Sequence, residues 1–165
     1  MTTTGALPTP ITVFASSYLL VGVAVLTLIS ATGSIFAMPE FSYHSQRLDG
    51  EGASAATLLA LILFTLLASV FTTLCLLLAY LNGRGSATGR VLTWVLGGLA
   101  MCFNIALLTV EVYEAVSWYR DLIRIVALMT LLFTLGGITL LALPRSHEYF
   151  RAARVRAAQA AGRGH

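Results

Sequence analysis

No charged side chain falls within the central part of any of four long apolar stretches, although the chain carries ten arginines and seven acidic residues. A charge at the middle of a bilayer costs roughly 2.5–3.5 kcal/mol on insertion scales, so this exclusion is the pattern of helices that cross a membrane. The stretches run over 11–38, 53–81, 91–112 and 125–143. Each meets the need for about 20 helical residues to span a hydrocarbon core. Between Arg90 and Glu111, and again between Arg124 and Arg145, stand twenty uncharged residues; at about 1.5 Å per residue each run covers about 30 Å. The first two stretches are longer and are expected to tilt or to extend into the interface. With 58% hydrophobic residues and a mean hydropathy of +0.86, the 165 residues are too apolar for a water-soluble domain. The expected fold is therefore all-α: one polytopic membrane domain over 1–165, four transmembrane helices in an antiparallel bundle.

The arginines set the orientation. Arg84 and Arg90 lie between the second and third spans, and Arg145, Arg151, Arg154, Arg156 and Arg163 follow the fourth, which puts seven on one side. The other side has three, Arg47, Arg120 and Arg124, among Glu40, Asp49, Glu51, Glu111, Glu114 and Asp121. By the positive-inside rule both termini are expected in the cytoplasm, in a multi-pass plasma-membrane protein. Phe41, Tyr43, Tyr113, Trp118 and Tyr119 would mark the outer interface, and Tyr80 and Trp94 the inner one. Residues 1–10 contain no basic side chain and the first apolar run is far longer than a signal-peptide core, so the first helix is expected to be retained.

After the fourth span, Pro144 is a helix stop and Ser146 an N-cap, and 147–161 is rich in alanine and arginine up to Gly162 and Gly164. Within the cytoplasmic tail 144–165, the segment 146–161 is thus expected to form a short helix. Arg151, Arg154 and Arg156 beside Tyr149, Phe150 and Val155 suit contact with anionic lipid headgroups or with a partner, each arginine contributing about 1 kcal/mol near such a surface. The competing reading is a tail that only fixes orientation. The segment Leu143-Pro144-Arg145-Ser146-His147-Glu148-Tyr149-Phe150-Arg151, in a chain whose basic residues are all arginine, resembles the ends of small uncharacterised actinobacterial four-helix integral membrane proteins. That resemblance implies a source and no activity.

The chemistry-bearing residues exclude more than they indicate. His44, His147 and His165 lie outside the spans, so no imidazole can ligate haem or relay protons in the membrane. The lack of a mid-membrane carboxylate or arginine counts against ion-driven transport. Cys75 and Cys102 differ in depth by about 8–10 Å, beyond the Cα separation of a disulfide, and read as buried packing thiols. Glu111 and Glu114 at i,i+3, with Asp121 and His44, could be assembled into a cation site, but pairing with Arg120 or Arg124 explains them as well. Ser16, Ser17, Ser30, Ser34 and Ser69 have no neighbouring base and fit no hydrolase motif. Small hydroxyl residues in membrane helices serve close packing and interhelical hydrogen bonds. No cofactor is expected, and five tail arginines without a basic domain give no case for nucleic acid.

One register links the third and fourth spans. Gly97, Asn104 and Glu111 recur every seven residues, as do Thr130 and Gly137. An antiparallel pairing that sets Gly97 opposite Gly137 also sets Asn104 opposite Thr130 and Glu111 opposite Arg124. Such an alignment predicts a close crossing at Gly97-Gly98 and Gly136-Gly137, a buried amide and an interfacial ion pair. Thr65 and Ser30 are the fallback partners of Asn104. The functional expectation is a structural or accessory subunit that packs against other membrane protein subunits without catalysis of its own. The alternative is a passive pore, holin-like protein or small-solute carrier lined by hydroxyls and Asn104.

Overall fold

The computed structural model describes residues 11–49, 51–109 and 116–144, together with 146, 148, 151 and 155. The described chain is helical apart from the connections. Helix α1 spans Ile11–Asp49 and α2 Glu51–Gly83; α3 spans Ala87–Thr109 and α4 Ser117–Ala142. All four are long and apolar enough to cross a membrane.

Helix α1 overruns its expected end. Pro39 lies inside it, where a proline removes one backbone hydrogen bond and disfavours the helix. Packing offsets that cost: Ala37 and Phe41, on either side of the proline, are buried in a cluster with Leu61, Val116, Tyr119 and Ile123. Helix α4 likewise begins earlier than expected, because Tyr119 enters this cluster from its first turn.

The short α2–α3 connection is built from two capping devices. Ser86 N–H donates to the Leu81 carbonyl at 3.1 Å and Gly85 N–H to the Asn82 carbonyl at 3.0 Å, with Gly85 at a φ of 74°. These are the two bonds of a Schellman motif, and the left-handed position favours glycine. Ser86 then opens α3, its Oγ accepting from Gly89 N–H at 3.3 Å.

Helix α1 is the hub. It packs most extensively on α2 and next on α4, whereas α2 and α3, although consecutive in sequence, touch much less than α3 and α4 do. Its buried positions, Val13, Ser16, Leu20, Val23, Ala24, Ser30, Ala31, Ser34, Ala37 and Phe41, recur at three- and four-residue spacing. Leu20 meets Leu78 and Ala79, and Val23 and Ala24 meet Cys75. Along α4 the partners descend as α1 ascends: a side chain at Gly22 would meet Phe133 and one at Gly33 would meet Leu122.

Candidate functional site

Several polar residues of the interior join helices. Near the first turn of α1, Ser146 donates its hydroxyl to the Leu140 carbonyl at 2.9 Å. Thr12 must then be the donor in its 2.9 Å bond to Ser146, since a hydroxyl carries one proton. One turn deeper, Ser16 donates to the Gly137 carbonyl at 3.1 Å. Toward the other end, Ser34 donates to the Ser30 carbonyl at 2.8 Å, so Tyr119 donates its phenol to Ser34 at 2.7 Å. Tyr119 is 0% exposed and sits edge-on to Phe41 with ring centroids 5.6 Å apart. Beyond it, Trp118 Nε1 donates to Glu40 Oε2 at 2.8 Å. The α1–α4 seam is thus tied toward both ends, with serine hydroxyls of the kind that interhelical bonding in membranes favours at each.

The α2–α3 elbow holds a second buried polar set. Asn82 Nδ2 donates to Thr93 Oγ1 at 2.9 Å, and Thr93 donates to the Gly89 carbonyl at 2.8 Å. Asn82 is 0% exposed, and its Oδ1 has no hydrogen-bond partner. A Cβ on Gly89 would stand 2.9 Å from Leu81 Cβ and 3.1 Å from Asn82 Oδ1, so glycine here lets the two helices touch. The sequence reading missed Asn82. Its only signal was an Asn-Gly pair at the end of a span, which reads equally well as a turn.

The predicted α3–α4 register is corrected in its contacts. A Cβ on Gly97 would indeed point at α4, 2.9 Å from Ile138 Cδ1 and 3.3 Å from Thr134 Cγ2. Gly136 and Gly137, however, face α1: the nearest atoms belong to Leu19 for the first and to Ser16 and Leu19 for the second. Gly98 has nothing within 4 Å of its Cβ position. No paired-glycine crossing forms, because the small-residue face of α4 closes on the central helix α1 rather than on its sequence neighbour α3. Asn104 is part-buried and donates to the Ala100 carbonyl of its own helix at 2.8 Å. Thr130 is buried, and its expected bond with Asn104 is replaced by that intrahelical one. Glu111 lies outside the described residues, and Arg124 is exposed. Among the described residues the ion pair at this end is Arg120 with Asp121, at 3.1 Å.

Cys75 is buried as expected, whereas Cys102 is exposed on α3, which corrects the reading of both thiols as buried. Helix α3 buries only its small residues Gly89, Thr93, Gly97 and Ala100, so Cys102 falls on the outward side. The candidate cation ligands Glu111 and Glu114 lie outside the described residues. Among those described, no three His, Cys, Asp or Glu side chains form a group that could hold a metal. In the tail, Arg151 is exposed, while Arg154 and Arg156 lie outside the described residues.

No protein-family model, curated protein or solved structure matches this chain.

Proposed function

We propose that the protein is a structural or accessory subunit: an antiparallel four-helix bundle of the plasma membrane, with both termini and a short tail helix in the cytoplasm, that docks on a larger membrane complex through α3. The observation that carries this reading is how little of α3 its own bundle uses. Its buried face consists of Gly89, Thr93, Gly97 and Ala100. Asn104 remains only part-buried at mid-span, and the space beside Gly98 is open. An amide turned partly toward hydrocarbon leaves hydrogen-bonding capacity unmet, and a protein partner is the natural source of the missing bonds. A glycine with an empty Cβ position admits that partner's backbone closely. The tail arginines Arg151, Arg154 and Arg156 would lie against anionic headgroups beside the same complex.

A pore through the bundle finds less support. The hydroxyls of Thr65, Ser69, Thr72 and Thr73 on α2 all donate to carbonyls one turn back in their own helix. The centre is filled by Leu20, Leu78, Val23 and Cys75, where a conducting path needs polar side chains at every depth.

The test is purification in mild detergent from the native membrane. Stoichiometric recovery of a larger complex is expected, lost in Gly98→Leu and Asn104→Leu proteins whose bundle unfolds as the wild type does. A homo-oligomer that conducts solutes in liposomes would overturn the reading. Sidedness is checked separately. A reporter active only outside the cytoplasm, fused after His165, should stay silent, and strong activity would invert the topology.

A further inference from the structure

A groove of about 390 Å³ opens between α1 and α2 at the end of the bundle that carries Arg84 and Arg90. On the α1 side stand Phe14 and Tyr18, one turn apart with ring centroids 4.6 Å from each other. On the α2 side stands Tyr80, and the guanidinium of Arg84 lies over its ring, 5.2 Å from the centroid. Val13, Val21 and Ala79 complete an apolar lining. Val13 to Val21 covers about 12 Å of helix at 1.5 Å per residue. These three aromatic side chains are all more than half exposed.

We propose that this groove holds one anionic phospholipid, its phosphate on Arg84 and an acyl chain along the exposed Phe14, Tyr18 and Val21. The proposal rests on the membrane reading and is independent of the subunit role. Charge complementarity identifies the occupant. Arg84 donates one N–H to the Tyr80 hydroxyl, which orients the guanidinium and leaves four of its five donors. No carboxylate pairs with it among the described residues, where the ion pair is Arg120 with Asp121 at the opposite end. Glu148 is the sole acidic residue that the sequence places on the Arg84 side, against seven arginines. The lining argues for a lipid over free phosphate. Ser17 donates its proton to the Val13 carbonyl at 3.0 Å, so the walls offer little to replace the water around a small anion, whereas they suit a hydrocarbon chain. A second copy of this chain is disfavoured, because self-apposition across the groove would bring two Arg84 side chains together.

The experiment is native mass spectrometry of the full chain, released from vesicles of equal parts phosphatidylglycerol and phosphatidylcholine. The wild type should retain one phosphatidylglycerol in preference to phosphatidylcholine. Arg84→Gln should lower that preference about fivefold. Val21→Trp, at an exposed position that tolerates a larger side chain, should displace the bound lipid of either class. Equal retention of both lipids by the wild type would mean ordinary boundary lipid and overturn the site. Displacement of the adduct by millimolar inorganic phosphate would mean a free-anion site, and a dimer lost in Val21→Trp would mean a second copy, either of which also overturns it. Unchanged preference in both variants would do the same. Release of the wild-type chain from native membranes by alkaline carbonate would instead remove the membrane reading, and this proposal with it.

Discussion

Truncating Tyr119 to Ala should destabilise the bundle by about 3–5 kcal/mol, the range for deleting a large buried aromatic. The side chain is completely buried. Its ring is shared by Phe41, which it meets edge-on, and Trp118, 5.8 Å away, and it closes the cluster that holds α1 helical past Pro39. Tyr119→Phe separates ring from hydroxyl. It keeps the aromatic packing and removes the bond to Ser34, so it should cost only about 0.6 kcal/mol, the average for an interhelical hydrogen bond in a membrane. Ser34→Ala should cost more, because it also removes the bond to the Ser30 carbonyl and takes the acceptor from a buried phenol, and the double variant should cost less than the two combined, because both changes remove one shared bond. Reversible unfolding in mixed detergent micelles measures all four proteins. A Tyr119→Ala loss no larger than that of Tyr119→Phe would show that the ring does not hold the cluster together.

The existence of the four helices was legible because bilayer crossing imposes a coarse rule, about twenty residues without a charge, that composition alone reveals. Which face of each helix turns inward was not legible in the same way. Along α1 the exposed side chains, such as Ile29 and Phe36, are as apolar as the buried ones, so the amphipathic signal that betrays a surface helix in water is lost. Small residues then become the guide, and they are ambiguous about direction. Gly97 faces α4 and Gly137 faces α1, whereas sequence order suggested α3 as the partner of α4's small face. The ends of α1 and α4 were misjudged for a related reason. Pro39 and the charged residues around Arg120 are local stop signals, and the burial of Phe41 and Tyr119 that overrides them is a tertiary fact. Asn82 was passed over because its role depends on Thr93, eleven positions away across a capped turn.

The same small-residue logic yields a graded test on three glycines. A Cβ at Gly22 would stand 2.6 Å from Phe133 Cε2 and 2.7 Å from Cδ2. The ring cannot move aside cheaply, since Phe133 packs against the cluster of Val23, Ala24 and Cys75 together with Phe71. At Gly33 the approach is as close, 2.6 Å, but the atom met is Leu122 Cδ2, the end of a flexible side chain that can change rotamer. At Gly98 the Cβ position is open. Alanine has a helix propensity about 1 kcal/mol better than glycine, which favours all three substitutions equally and leaves packing to set the order. Gly98→Ala should therefore be neutral to stabilising and Gly33→Ala close to neutral, while Gly22→Ala should be destabilising. Gly22→Leu should cost most, about 1–3 kcal/mol or more as the α1–α4 seam is forced apart. The decisive comparison is Gly22→Leu in a Phe133→Ala background, where the new side chain can enter the space the ring vacates. Most of the Gly22→Leu loss should then disappear, as a coupling energy between neighbours in direct contact. If the two substitutions instead add independently in unfolding measurements, Gly22 does not receive the Phe133 ring and the α1–α4 pairing at this depth is wrong.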